Sequence, residues 1–283
     1  MASSYILSVV TFAYLTCATL YLFSLVFKKS FLALIATVIT WVTLGGHTLA
    51  IILRWVESYQ LGFGHAPFSN LYESLVFFAW TITLVYLLVE KKTGHRAMGV
   101  FVIPISFLAM AYASFSPDIS SKIVPLIPAL KSNWLIAHVI TCFLGYAGFA
   151  TSCGLSLMFL LRTNHPETGS QDSFWVRLIP LSQTLEELIY QTILIGFLFL
   201  TIGIGTGAIW AHTAWGTYWS WDPKETWSLI TWLIYAFILH GRMARGWSGK
   251  TMAILSLVGF MAVLFTYLGD KYLVPGLHSY GAK

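Results

Sequence analysis

Eight separate runs of this chain are apolar over about the twenty residues that a helix needs to cross the hydrocarbon core of a bilayer. They cover approximately 4–27, 31–53, 71–90, 97–114, 134–161, 186–209, 225–242 and 251–270. In lipid every backbone N–H and C=O must find its partner within the chain, so such runs fold as helices. The expected fold class is all-α: an integral membrane helical bundle of about eight transmembrane helices, forming one polytopic domain over 1–283. Composition agrees. The chain is 57% hydrophobic and only 10% charged, against roughly 25% charged in a soluble domain. A soluble enzyme and a disordered chain are excluded. The net charge of +5 rests on sparse charges. No dense basic face exists to read nucleic acid, and membrane lipid is the expected surrounding partner. The first run is too long for a signal peptide and lacks its basic start and small-residue cleavage site. Pro104 removes a backbone donor inside the fourth run and predicts a kink.

Lys and Arg set the direction of insertion. Alternate connections hold ten of the sixteen: Lys28, Lys29, Lys91, Lys92, Arg96, Arg162, Arg177, Arg242, Arg245 and Lys250. The other side holds Arg54, Lys122, Lys131, Lys224, Lys271 and Lys283. The richer side is expected to face the cytoplasm or stroma, which puts both termini on the outer, periplasmic or lumenal face. The connection over about 162–185 carries Phe174, Trp175, Val176, Leu178 and Ile179 among polar residues and reads as an interfacial amphipathic stretch. Thr184 and Glu187 have the spacing of a capping box, which predicts the start of the sixth span.

Ionisable groups inside lipid are costly and mark function. No Asp or Glu falls near the middle of a span; Glu57, Glu73, Glu90, Glu225 and Asp270 sit near span ends. An ion-coupled transporter usually needs midplane carboxylates or broken helices in repeated halves. Cys17, Cys142 and Cys153 lie in apolar runs without the Cys-x-x-Cys spacing of a metal or redox site, and read as small packing residues. Histidine is the notable resource. His95 and His165 read as solvated loop residues, and His65 and His212 as ordinary outer-loop residues. His138 lies one turn into the fifth span near the outer face, His278 in the outer tail, His47 in the outer half of the second span, and His240 at the inner end of the seventh.

Half of the twelve tryptophans fall within 23 positions: Trp210, Trp215, Trp219, Trp221, Trp227 and Trp232. A membrane-interface belt would scatter them. The topology puts this segment, residues 210–240, on the same face as His138 and His278. Two neutral imidazoles on opposite sides of an iron macrocycle make a six-coordinate haem, and indoles supply rigid apolar area to pack against it. Gly216 permits a tight backbone. Trp215, Trp219 and Trp221 are spaced too irregularly for one strand face and suit a short surface helix or turn. Asp222 before Pro223 reads as a helix N-cap with proline at the first helical position.

The stretch WGTYWSWDPKETWSLITWLIYAFILH, residues 215–240, resembles the tryptophan-rich WWD signature of haem-handling membrane proteins. With its Leu-His ending it is similar to the CcsA/ResC type (CcsB in some bacteria), a subunit of the System II cytochrome c synthase. RWVESYQLGFGHAPFSNLYESL (54–75) resembles the first outer loop of that family, and LIPALKSNWLIAHV (126–139) the segment bearing its first outer histidine. The resemblance extends over essentially the whole chain. It implies a bacterial inner membrane or thylakoid location and haem b as both substrate and ligand. It implies His138 and His278 as outer haem ligands, with Trp215, Gly216, Trp219, Trp221 and Asp222 in the haem-handling segment. It implies His240 at a second haem position near the cytoplasmic side, completed by a CcsB/ResB-type membrane subunit. Haem would enter near His240 and move to the outer site. An apocytochrome c would there present Cys-x-x-Cys-His, whose thiols add to the haem vinyl groups. The chain's own part would be positioning and iron ligation; catalytic acids and bases are not identified. Arg54, Lys131 and Lys224 are outer-face cations within the reach of propionates or lipid headgroups. A haem exporter that loads a carrier, an ion-coupled transporter without haem, and a purely structural assembly subunit stand as alternatives.

Overall fold

The computed structural model describes residues 2–163 and 179–272, with side chains described as far as Gly269. The described residues are helical with connecting turns. In chain order the helices are α1 (Ala2–Val26), α2 (Ser30–Gln60), α3 (Leu71–Thr93), α4 (Gly99–Phe115), α5 (Asn133–Thr163), α6 (Ser182–Trp215), α7 (Pro223–Arg245) and α8 (Gly249–Tyr272). Among the described residues seven of these are long and apolar enough to cross a membrane. The exception, α7, has 23 residues, but its charged ends and its Trp, Tyr and Thr content make it less apolar. Each helix matches one apolar run of the sequence.

The interior and exterior are arranged for lipid. On α2 the buried stripe is polar at Thr40, Thr43, His47, Arg54 and Ser58. Its outward face carries exposed Leu34, Val38, Val42, Leu49 and Ile52. Apolar side chains gain nothing by leaving hydrocarbon, so packing and hydrogen bonds hold such helices together. Tyr14 on α1 meets His47 Nδ1 at 3.0 Å, and Trp80 on α3 donates to Thr48 at 2.8 Å. His47 is fully buried by this arrangement.

Helix α5 is the hub. It packs against α3, α4, α6 and α8, while α1, α2 and α4 form a neighbouring group. Its seam with α6 is backbone on backbone. A Cβ at Gly145 would lie 3.0 Å from the carbonyl oxygen of Gly196, and one at Gly148 would lie 2.9 Å from that of Thr192. Small residues at this spacing let two helices close until their van der Waals contact is fully used.

Two expectations are corrected. Thr184 and Glu187 do not form a capping box. Helix α6 begins at Ser182 after Leu181, which makes no side-chain cap, and Glu187 accepts a hydrogen bond from Gln191 at 2.8 Å. The connection expected between the sixth and seventh apolar runs, about 210–224, is partly helix: α6 runs on to Trp215 and α7 starts at Pro223, leaving only 216–222 as a turn. The amphipathic reading of Phe174, Trp175, Val176 and Leu178, and the placement of His165 and His278, lie outside the described residues.

Candidate haem-handling site

The turn between α6 and α7 is folded by its own polar atoms. Gly216 takes the left-handed conformation, φ +81°, and its N–H closes the last turn of α6 on the His212 carbonyl at 2.9 Å. Any other residue would be strained there. Asp222 caps α7 by accepting the Lys224 N–H at 3.1 Å, and Glu225 returns the bond to the Asp222 N–H at 3.2 Å. Glu225 also accepts from the Ser220 N–H at 2.7 Å. This capping box gathers the chain tightly enough to hold Trp221 at φ +58°, a conformation rare for a bulky residue. Trp221 points outward and is 70% exposed.

Behind this turn lies a cavity of about 220 Å³. It is enclosed by the Phe68–Asn70 segment and the start of α3, the first turns of α5, the end of α6, the start of α7 and the end of α8. Its walls are mainly apolar and aromatic, including Phe143, Ile204, Trp210, Trp219 and Tyr267. Such a cavity with a few convergent polar groups is the usual form of a small-molecule site.

His138 is the notable polar group in this cavity. Its Nδ1 lies 2.8 Å from the Gly203 carbonyl oxygen of α6. A carbonyl only accepts, so Nδ1 carries the proton and the neutral ring leaves its lone pair on Nε2. A metal-binding histidine is oriented in the same way, with its other ring N–H held by a carbonyl. The imidazole is also fixed by stacking on Trp210, with centroids 5.8 Å apart and planes at 22°. Trp210 is in turn held by its indole N–H on the Ala129 carbonyl at 2.8 Å. Trp215 packs on Trp210 from behind, 4.9 Å between centroids. Trp219 lines the cavity, and its buried indole N–H has no hydrogen-bond partner. A buried donor without an acceptor is costly; a bound carboxylate would satisfy it. An aromatic cavity with an imidazole, an indole donor and the Lys224 side chain in its lining fits haem in donor chemistry.

A sequence model of the cytochrome c assembly protein family matches residues 68–278. The chain belongs to this family. It is 43% identical over 256 residues to the cytochrome c biogenesis protein CcsA of Prochlorococcus marinus, covering 82% of this chain and 79% of that protein. It is 42% identical over 282 residues to CcsA of Pyropia yezoensis, covering 87% of each. CcsA of Chlamydomonas reinhardtii is 45% identical over 239 residues, with 82% of this chain and 64% of that protein covered. Among solved structures the fold resembles the cytochrome c haem lyase CcmF, with a TM-score of 0.69 at 19% identity over 94% of this chain. This chain spans 46% of the length of that structure.

Within this family fold the expected site residues separate. His138 and Trp219 face the cavity. Trp215 supports its wall, and Gly216 and Asp222 shape the turn. Trp221 is outside the cavity lining. His240 is exposed on α7, sixteen residues beyond Lys224 and so about 24 Å along the helix. Arg54 is not a free outer cation. It is buried against Glu73, Nε to Oε1 2.8 Å, and donates to the Ser121 carbonyl at 2.8 Å. Glu73 accepts in turn from the N–H and hydroxyl of Ser69, which lines the cavity. His65, read as a loop residue, is buried, with Nε2 2.9 Å from the Val124 carbonyl. Residue-type reasoning passed over Gly203, Gly207 and Cys142. The signal was present in GIGTG (203–207), which puts Gly203 and Gly207 four apart on one helical face.

Proposed function

We propose that the chain is the haem-handling subunit of a cytochrome c synthase. It receives haem b and holds it in this cavity for thioether attachment to an apocytochrome c bearing Cys-x-x-Cys-His. The observation that carries this reading is His138, fixed on the Gly203 carbonyl and stacked on Trp210 in the lining of a tryptophan-walled cavity. His138 and, from the C-terminal tail, His278 would hold the iron, and Trp219 Nε1 and Lys224 would receive the propionates. A ligand held in place before iron arrives costs little to organise, which is proximity catalysis of the later thiol addition. His240, at the far end of α7, serves a separate haem position near the cytoplasmic face together with a CcsB/ResB-type membrane subunit. The Trp-bearing turn then faces the periplasm or thylakoid lumen, as the Lys and Arg distribution supports.

The test is the visible spectrum of the chain purified with its partner from haem-replete cells. A Soret band of six-coordinate haem is expected. His138→Ala should weaken it and stop cytochrome c maturation, and added imidazole should restore part of both. A chain that carries no haem under these conditions would be an aromatic-belted transporter or a structural subunit instead.

A further inference from the structure

At the end of the bundle opposite the cavity, two connections bring cations together. Lys28 and Lys29 lie in the turn between α1 and α2, and Lys91, Lys92 and Arg96 lie between the last turn of α3 and the start of α4. All five are exposed. Over 27–29 and 90–98 the sequence sets one carboxylate, Glu90, against them. Glu90 is buried. It accepts from Thr37 of α2 at 2.7 Å, from Tyr21 of α1 at 3.3 Å and from Tyr86 one turn back on α3. Arg96 approaches it at 3.8 Å but stays 44% exposed. The short turn Arg96–Met98 packs on both α1 and α2. Gly99 lets it close, since a Cβ there would lie 2.6 Å from the Tyr86 hydroxyl and 2.7 Å from the Tyr21 ring. One buried carboxylate thus ties the two connections together beneath a surface of cations.

The direction of insertion requires these charges in the connections, but not beside one another. Gathered cations repel unless an anion lies among them. The adjoining surface is apolar. Phe27 and Phe31 flank the first lysine pair, Leu88 precedes the second by one turn, and each is more than half exposed. Clustered cations beside exposed apolar side chains match a molecule with an anionic head and an acyl tail. We propose that this corner is a binding site for an anionic membrane lipid. Its headgroup sits among Lys29, Lys91, Lys92 and Arg96, and an acyl chain runs along Phe27, Phe31 and Leu88. The site is separate from the cavity and does not depend on the haem reading.

The test uses the full chain purified in detergent, where the direction of insertion has no influence. Native mass spectrometry follows the retention of added phosphatidylglycerol and phosphatidylcholine. The parent should retain phosphatidylglycerol in preference. A cation at an anionic lipid surface is worth about 5-fold in affinity. Lys29→Gln, Lys91→Gln and Lys92→Gln together should therefore weaken phosphatidylglycerol binding by about 100-fold, and arginine at the same three positions should restore it. The control replaces three exposed cations elsewhere, Lys122, Arg245 and Lys250, by glutamine and should bind as the parent does. Equal losses in the two triple variants would show general charge attraction and overturn the proposal. So would an absence of preference in the parent, or undiminished binding without the three lysines. Inorganic phosphate tests the headgroup alone. Phosphatidylglycerol should raise the thermal unfolding midpoint of the parent and free phosphate should not; an equal rise would mean a phosphate site with no part for the acyl chain, and would also overturn it.

Discussion

Gly207→Ala puts the site geometry and the stability of the fold in direct opposition. The new methyl would lie 2.6 Å from His138 Nδ1 and 2.8 Å from its Cε1. Unstrained contacts of this kind need about 3.5–4.0 Å, so the ring or α6 must retreat by roughly 1 Å. The Nδ1–Gly203 bond is 2.8 Å long, and that retreat takes it beyond hydrogen-bonding distance. Overpacking costs about 1–3 kcal/mol and the lost bond about 1 kcal/mol. Against this, alanine is better than glycine in a helix by about 1 kcal/mol. The net loss of stability is therefore modest, about 1–3 kcal/mol, while the imidazole is no longer held where iron would meet it. Haem affinity should fall about 10- to 100-fold, the range seen when the outer partner of a metal ligand is removed. The control is Gly205→Ala on the same helix, where a Cβ meets nothing within 4 Å. It has the same propensity gain and no clash. The assay is the Soret absorbance per protein after purification, read beside the thermal unfolding midpoint. Equal haem in Gly207→Ala and the parent would refute the reasoning, as would equal losses in the two variants.

Three further outcomes are expected. His240→Ala should leave haemin binding by the purified chain unchanged but lower the haem that reaches the cavity in cells, measured as haem per protein after co-expression with the partner. Glu73→Gln should lower the unfolding midpoint sharply, because Arg54 and Glu73 are each 1% exposed and breaking a buried pair costs about 3–5 kcal/mol; an unchanged midpoint would show that Arg54 finds another partner. Asp222→Ala should cost about 1 kcal/mol through the lost N-cap and speed hydrogen exchange at the Lys224 and Thr226 amides, with no change in exchange at the far end of α7.

The helices were legible in the sequence because lipid leaves few choices. A run of apolar residues must close its own hydrogen bonds, and all eight runs do so, although α2 continues to Gln60 rather than 53 and α6 spans Ser182–Trp215 rather than 186–209. The Asp222-Pro223 helix start was legible for a similar reason: it depends only on a local cap. The start of α6 was not, because Thr184 and Glu187 carry the right spacing but the helix enters from Leu181. Arg54 was misjudged as a free cation. Its burial is decided by Glu73, nineteen positions away, and by the Ser121 carbonyl of a different connection. His65 was misjudged for the same reason, since its acceptor at Val124 is distant in the chain.

The site shows the same division. Residue types and their order along the chain put His138 and Trp219 among the candidates, because imidazoles and clustered indoles are scarce in such a chain. They did not identify what fixes the His138 ring. Gly203 supplies the carbonyl that sets its tautomer, Gly207 supplies the space, Trp210 supplies the stack, and Cys142 supplies a soft contact. These come from a helix about 65 residues further on, or from a packing choice that looks like any other apolar position. By itself the sequence determined a membrane bundle, its eight helices and the candidate ligands, because those follow from hydrocarbon and from local hydrogen bonding. Only the tertiary structure decided what holds the His138 ring, because that depends on which carbonyl the packing of α5 on α6 brings to its Nδ1.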